Sequence, residues 1–151
     1  MNSSFRIANR DDHDLVVQML YELVLELSTS DEAARLRLRL DDDIRLALES
    51  STIRIFLALV AGAPVGLGRA DVLINDPIFR LRDEPRCGYV DQMYVRPNYR
   101  GRGLGRELLR RCEAWFRELG IGHVLLHAAP RALRFYEREG YQSNREMFKR
   151  L

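Results

Sequence analysis

A strand pattern followed by a glycine-rich segment and a helix pattern carries the strongest chemical signal in the sequence. Residues 90–95 read Val-Asp-Gln-Met-Tyr-Val, which is typical of a strand, and Pro97 ends it because proline has no N–H to donate. Residues 100–105 then read Arg-Gly-Arg-Gly-Leu-Gly, with glycine on alternate positions. Beyond the loop, apolar residues recur every three to four positions, as on one face of a helix: Leu104, Leu108, Leu109, Cys112, Trp115 and Phe116.

Such an arrangement is typical of a site for a phosphate group. The first N–H groups of a helix have no partner within the helix, and the helix dipole adds partial positive charge there. Glycine lets the backbone approach an anion without a Cβ in the way, and Arg100, Arg102 and Arg106 add positive charge. The glycine spacing alone is equally consistent with an ordinary turn before an amphipathic helix. A P-loop is disfavoured because no Lys-Ser/Thr follows, and a dinucleotide fold because no acidic residue ends a second strand about 20 residues on.

Two motifs in this order resemble the GNAT superfamily of N-acetyltransferases. Residues 100–105 are similar to its acyl-CoA-binding signature, Arg/Gln-x-x-Gly-x-Gly/Ala, and residues 93–97 resemble its fourth strand and the exit from it. Residues 132–141, Ala-Leu-Arg-Phe-Tyr-Glu-Arg-Glu-Gly-Tyr, are similar to its Ala-x-x-x-Tyr-x-x-x-Gly-Phe segment. The strong part of the resemblance covers residues 88–141.

The resemblance implies a binding site for acetyl-CoA, as cosubstrate, that is made largely of backbone. The pyrophosphate would accept hydrogen bonds from the loop and the helix start, and the pantetheine arm would lie in a gap between the fourth and fifth strands. An N–H near Met93 or Tyr94 would face the thioester carbonyl, as in an oxyanion hole. The cofactor-binding residues implied in this way are Met93, Tyr94, Val95, Arg100, Gly101, Arg102, Gly103, Leu104, Gly105 and Arg106.

Asp91 is the first candidate for the general base. It is a carboxylate in a strand that otherwise reads as buried, and burial raises both its pKa and its chance of a catalytic role. Related proteins often carry Glu near this place, so the shorter Asp predicts a relay through water. Asp91 could instead only accept hydrogen bonds from a neighbouring arginine. His127 is the alternative base, although a hydrogen-bonded core histidine explains it as well, and Tyr89 shares the strand face of Asp91.

Tyr136 is the candidate general acid. By helical spacing alone it would be a core aromatic residue, but in the second motif its phenol would protonate the departing CoA thiolate. One residue departs from the family pattern: Ala129 stands where many members have an Asn that contacts the pantetheine arm.

The elements that must position these residues follow the order β-α-α-β-β-β-α-β-α-β. Together with the resemblance, this order predicts a mixed α/β fold: a twisted, mixed sheet of six to seven strands flanked by about four helices, in a single domain over residues 1–151. We expect residues 41–43, three consecutive aspartates, to break the second helical stretch, and residues from 141 onward to form one or two terminal strands. These aspartates read either as a solvated helix start or as an attraction for a cationic amine. Residues 75–86 form a long connection with two prolines.

Composition narrows the functional classes. A net charge of +2 argues against a nucleic-acid-binding protein, and no apolar run approaches the length of a membrane span. The two cysteines have no metal-site spacing, so we expect no metal and a reducing, cytoplasmic location. The sequence predicts an N-acetyltransferase for a primary amine of a small molecule or peptide, by direct attack in a ternary complex. It leaves open a homodimer, and a non-catalytic acyl-CoA-binding module of the same fold.

Overall fold

The structure, a computed structural model, describes residues 2–74, 85–143 and 149–150. Within them, one sheet contains the five strands, which are β1 (Ser3–Ile7), β2 (Ile53–Val60), β3 (Ala63–Ile74), β4 (Arg86–Val95) and β5 (Val124–Leu126). The helices of the same part of the chain are α1 (His13–Leu27), α2 (Ser30–Glu49), α3 (Leu104–Glu118) and α4 (Leu133–Arg138).

The sheet is mixed, as the sequence predicts. Its spatial order is the order of the strands along the chain, with antiparallel pairing from β1 to β4 and parallel pairing between β4 and β5. The mixed α/β class and the order of elements are therefore confirmed, with five strands in the described residues where six to seven were expected. The predicted terminal strands fall mostly on residues 144–148, and the long connection mostly on residues 75–84, both outside the described residues.

Polar side chains satisfy free N–H groups at the 3-10 turn that leads into α1 and at the start of α2. Asn9 accepts a hydrogen bond from Asp11 N ahead of α1, and Thr29 and Glu32 form a reciprocal capping box at the start of α2. The predicted break at residues 41–43 is wrong, because α2 runs through them without interruption. Ile44 and Ala47 are buried on one side of α2, so packing against the sheet holds the helix together.

A separate apolar core lies on each face of the sheet. On one face, α3 buries Leu108, Cys112 and Phe116 against the strands, and on the other face α1 and α2 bury residues such as Met19 and Ile44. Gly88 lets α3 come close, since a Cβ at this position would lie 2.5 Å from Phe116 Cδ2. Of the described helices, none combines the length and apolarity that a membrane crossing requires.

Strand β4 has a bulge near its middle and loses its β5 partner there. Two of its residues, Asp91 and Gln92, lie opposite the single residue Arg69 of β3, which is the pattern of a β-bulge. Its pairing with β5 ends at the same point, with Val90 opposite Leu126. From residue 91 onward β4 therefore has no β5 partner on that side, and the sheet opens there.

Candidate active site

A cleft of about 480 Å³ lies where the sheet opens. The last residues of β4, the glycine-rich loop, the start of α3, and α4 form its walls. Nine of the ten predicted cofactor-binding residues line it, the exception being Arg102, and so does Tyr136. The other described residues along its walls are Tyr99, Ala132, Phe135, Arg138 and Glu139.

The glycine-rich loop has the backbone geometry that the sequence predicts. Gly101 and Gly103 have φ angles of 73° and 81°, a region that other L-residues rarely adopt. Gly103 is the N-cap of α3 and has no side chain to accept hydrogen bonds from the first turn. The first N–H groups of α3 therefore remain available to an anion in the cleft.

The open side of β4 presents backbone groups to the cleft. Arg96 N donates to Val65 O at 2.9 Å, so residue 96 faces β3. Because the hydrogen-bonding direction alternates along an antiparallel strand, Tyr94 also faces β3, whereas Met93 and Val95 turn their N–H and C=O groups away from it. An extended ligand in the cleft would find the N–H and C=O groups of Met93 and the N–H group of Val95 as strand-like partners, since Val95 O already accepts a hydrogen bond from Arg100 Nε.

Two of the predicted cationic residues are already paired with carboxylates. Arg100 donates from Nε to Val95 O at 2.7 Å and from Nη2 to both carboxylate oxygens of Glu26 at 2.7 and 2.9 Å. Arg106 Nε donates to Glu139 at 2.6 Å. The guanidinium of Arg102 lies 5.6 Å from the ring centre of Tyr99. In this structure, Arg100 and Arg106 therefore each have a carboxylate partner, which the sequence did not predict.

Tyr136 is 9% exposed and lies against α3 in the core that borders the cleft. Burial raises the pKa of its hydroxyl to about 12, with a smaller contribution from Cys112. The phenol therefore stays protonated at neutral pH and keeps an O–H group that can donate a hydrogen bond. The rings of Phe135 and Tyr141 pack edge-on against it, with centroids 5.0 and 5.8 Å away.

Asp91 lies on the opposite face of the sheet and does not line the cleft. Its side chain is 31% exposed, more than a buried strand would suggest, and its Oδ2 is 3.6 Å from Arg69 Nε. Arg69 is buried and forms shorter ion pairs with Asp71 and Asp43, at 2.8 and 2.6 Å. Three carboxylates thus surround one guanidinium, and we call them the acidic cluster: Asp43, Asp71 and Asp91.

Burial and the neighbouring charges together change the pKa of Asp91. Burial raises this pKa above its ordinary value; the charge of Arg69 opposes the rise, and those of Asp71 and Asp43 add to it. Sequence reasoning predicted the direction for Asp91 and did not identify Arg69 or Asp71. A charged pair of residues, 69 and 71, within the otherwise apolar β3 pattern was the available signal.

His127 follows β5 directly and is exposed, so it is not the core histidine that the sequence allowed. Its Nδ1 shares a hydrogen bond with the hydroxyl of Tyr89, and the ring centres are 5.7 Å apart. Since Tyr89 pairs with Leu125 in the parallel ladder, Asp91 and His127 each lie two residues further, where the two strands part. Both candidate bases are therefore at the mouth of the gap.

Comparison with known proteins agrees with this geometry. The chain matches the model of the acetyltransferase (GNAT) family over residues 17–141. The chain belongs to the GNAT acetyltransferase family. It is 29% identical over 134 residues to the aminoglycoside N(6')-acetyltransferase type 1 of Stenotrophomonas maltophilia. The match covers 77% of this chain and 87% of the relative.

Solved structures of GNAT proteins superpose on it closely. A GCN5-related N-acetyltransferase from Ralstonia eutropha JMP134 has a TM-score of 0.91 at 26% identity, over 99% of each chain. A predicted acetyltransferase from Clostridium acetobutylicum, solved with acetyl-CoA, has a TM-score of 0.87 at 19% identity, over 99% of this chain and 96% of that one.

As a GNAT acetyltransferase, the protein is an enzyme that transfers an acetyl group from acetyl-CoA. Within residues 2–74, 85–143 and 149–150, no three His, Cys, Asp or Glu side chains come together as metal ligands would.

Proposed function

We propose that this enzyme transfers the acetyl group to a primary amine of a small molecule or peptide, by direct attack in a ternary complex. The observation that carries the proposal is the opening between β4 and β5, which has the cleft on one side and the acidic cluster on the other. Acetyl-CoA bound in the cleft would present its thioester in this gap. An amine could then approach from the face that carries Asp91 and His127.

The cleft side would hold and polarise acetyl-CoA. The pyrophosphate would accept hydrogen bonds from the N–H groups of the loop and the first turn of α3. The pantetheine arm would pair with Met93 and Val95, whose backbone groups are turned away from β3. Of the two N–H groups that the sequence suggested for the thioester carbonyl, alternation along the strand favours that of Met93.

The other side would receive and deprotonate the amine. Three carboxylates against one guanidinium attract an ammonium group, so a cationic substrate would gather near Asp91. The raised pKa of Asp91 lies closer to the pKa of the substrate ammonium group that it must deprotonate, which makes Asp91 a better general base. Because the Asp91 side chain is shorter than the Glu that related proteins often carry near this place, a water molecule between it and the amine would carry the proton.

Tyr136 would act on the leaving group. With a pKa of about 12, its phenol is a weaker acid than a thiol, whose pKa is about 8.5. Complete proton transfer to the thiolate is therefore uphill, and the hydroxyl would stabilise the developing negative charge mainly by donating a hydrogen bond.

Thiol release from acetyl-CoA over a panel of amines tests the function. An N-acetyltransferase should release thiol in proportion to an added primary amine, and the acetylated amine should appear in equal amount. Slow hydrolysis that no amine accelerates would instead support the non-catalytic acyl-CoA-binding module.

We also propose that the enzyme works in the cytoplasm. Its two cysteines, Cys87 and Cys112, are both free and buried, which suits a reducing compartment.

A further inference from the structure

Two glutamates one turn apart on helix α1 form ion pairs with arginines in and just before the glycine-rich loop. Glu22 accepts two hydrogen bonds from the guanidinium of Arg96, each 3.0 Å long. Glu26 accepts two from Arg100 and one, at 2.7 Å, from Arg131. Arg96 and Arg100 flank the 3-10 turn that connects β4 to the glycine-rich loop.

Glu26 joins three elements that surround the cleft. It belongs to α1, Arg100 belongs to the glycine-rich loop, and Arg131 lies in the 3-10 turn that leads into α4. Arg100 also donates to Val95 O, so a continuous chain of hydrogen bonds runs from the end of β4 through the loop to the start of α4. Residues of both the loop and α4 line the cleft.

The position of Glu26 is unfavourable for α1 itself. It lies in the last turn of the helix, where the dipole disfavours a negative charge, and that turn contains no basic residue. Burial works to raise the pKa of Glu26, but the hydrogen bonds from Arg100 and Arg131 outweigh it and lower the pKa below its ordinary value. The carboxylate is therefore ionised at neutral pH and is held by the two arginines.

We propose that Glu26 is a positioning residue for acetyl-CoA: it holds the glycine-rich loop and the start of α4 at the separation that the bound cofactor requires. The inference rests on the proposal that acetyl-CoA occupies this cleft. Glu26 makes no contact with the cofactor in this role, because it acts through Arg100 and Arg131.

The sign of one substitution separates this role from simple electrostatics. Glu26→Gln removes a negative charge near the cleft, which by Coulomb attraction alone should tighten the binding of an anionic ligand. A positioning role predicts the opposite, because two charge-assisted hydrogen-bonded contacts are lost and the loop loses its support.

The experiment measures acetyl-CoA binding by calorimetry and steady-state kinetics with a saturating amine. We expect Glu26→Gln to raise Kd and KM for acetyl-CoA about tenfold, because the contacts to both Arg100 and Arg131 are weakened, and to leave kcat within about twofold. A general loss of stability would instead lower the active fraction and leave KM unchanged. Glu49→Gln is the matched control, since Glu49 also ends its helix and pairs with an arginine, Arg10, at 3.5 Å.

Glu26→Asp is the second variant, in case Glu26→Gln does not fold. It keeps the charge but shortens the reach by one methylene, so we expect a smaller rise of about threefold in Kd. Unchanged or tighter binding in whichever of these variants folds would overturn the proposal. If wild-type protein did not bind acetyl-CoA, the site assignment itself would fail.

Discussion

The two sides of the gap between β4 and β5 are built in different ways. The side proposed for acetyl-CoA offers mostly backbone groups, from a segment that runs from Met93 through the first turn of α3, and α4 adds side chains along another wall. The side proposed for the amine offers mostly side chains, and Asp43, Arg69 and Asp91 come from three different elements. A backbone site needs particular glycines at particular spacings, whereas a side-chain site needs only that distant residues meet. The first kind leaves a motif in the sequence and the second does not.

The largest expected effect comes from Gly103→Glu on the cofactor side. The variant places a side chain at a φ of 81° and a carboxylate beside the pyrophosphate, so acetyl-CoA binding should weaken by roughly 1,000-fold. The rise in Tm that acetyl-CoA gives the wild type should then disappear. Gly62→Glu is the control, because Gly62 has a φ of 80° with open space around it, in the turn between β2 and β3. A folded Gly103→Glu protein that bound acetyl-CoA normally would refute the backbone-site interpretation.

Asp91→Asn tests the acceptor side and should lower kcat/KM by about 100-fold, the effect of losing a general base. In the wild type, kcat/KM should rise with pH through an acidic limb whose pKa lies above the ordinary 3.9 or so of Asp. The variant should lose that limb, and His127→Gln should keep it. If His127→Gln removes the limb, His127 is the base; if neither does, the limb belongs to the substrate amine.

Although Asp91→Asn should lower activity, it should raise the stability of the folded protein. A carboxyl whose pKa is raised on folding binds more protons in the folded than in the unfolded state, so the wild type loses stability as pH rises through that window. Asn carries no such cost. Thermal unfolding at pH 7 should therefore give Asp91→Asn a higher Tm than the wild type, and a lower Tm would show that Asp91 is stabilised as an ion.

Tyr136→Phe should lower kcat by about tenfold and leave Kd for acetyl-CoA unchanged, since a phenol with a pKa of about 12 is a poorly matched acid for a thiolate. Single-turnover kinetics would separate this effect from slow product release. Tyr141→Phe is the control: this neighbouring hydroxyl donates to Glu113 and does not line the cleft. Equal rates in all three proteins would make Tyr136 a core aromatic residue only.

Asp43→Asn should have the smallest effect, about a threefold rise in KM for a cationic amine, because its side chain is 48% exposed and solvent screens it. The difference from the wild type should shrink as ionic strength rises. Asp42→Asn is the neighbouring control, since Asp42 pairs with Arg45 and not with Arg69. Identical salt dependence in both variants would show that the acidic cluster does not attract the substrate.

What the sequence did not reveal follows from the same difference between backbone sites and side-chain sites. Three aspartates in a row suggested a break in the second helix, yet α2 continues because Ile44 and Ala47 are buried and Asp43 is paired with Arg69. The ion pairs of the glycine-rich loop were likewise not expected: Arg100 is paired with Glu26, and Arg106 with Glu139. In each case the partner lies far away in the sequence, so no local pattern could reveal it.

The sequence by itself determined the family, the order of elements and the glycine-rich loop. The order of elements and the loop depend on local rules, namely apolar periodicity, glycine at positive φ and proline at a strand end, which a chain displays in order. The family follows from the resemblance of two motifs, at residues 100–105 and 132–141. Only the tertiary structure decided that β4 bulges at Asp91, that it parts from β5 after Val90, and that Glu26 accepts hydrogen bonds from both Arg100 and Arg131. These features arise from contacts between elements, and the energy of such contacts depends on distances that the sequence does not contain.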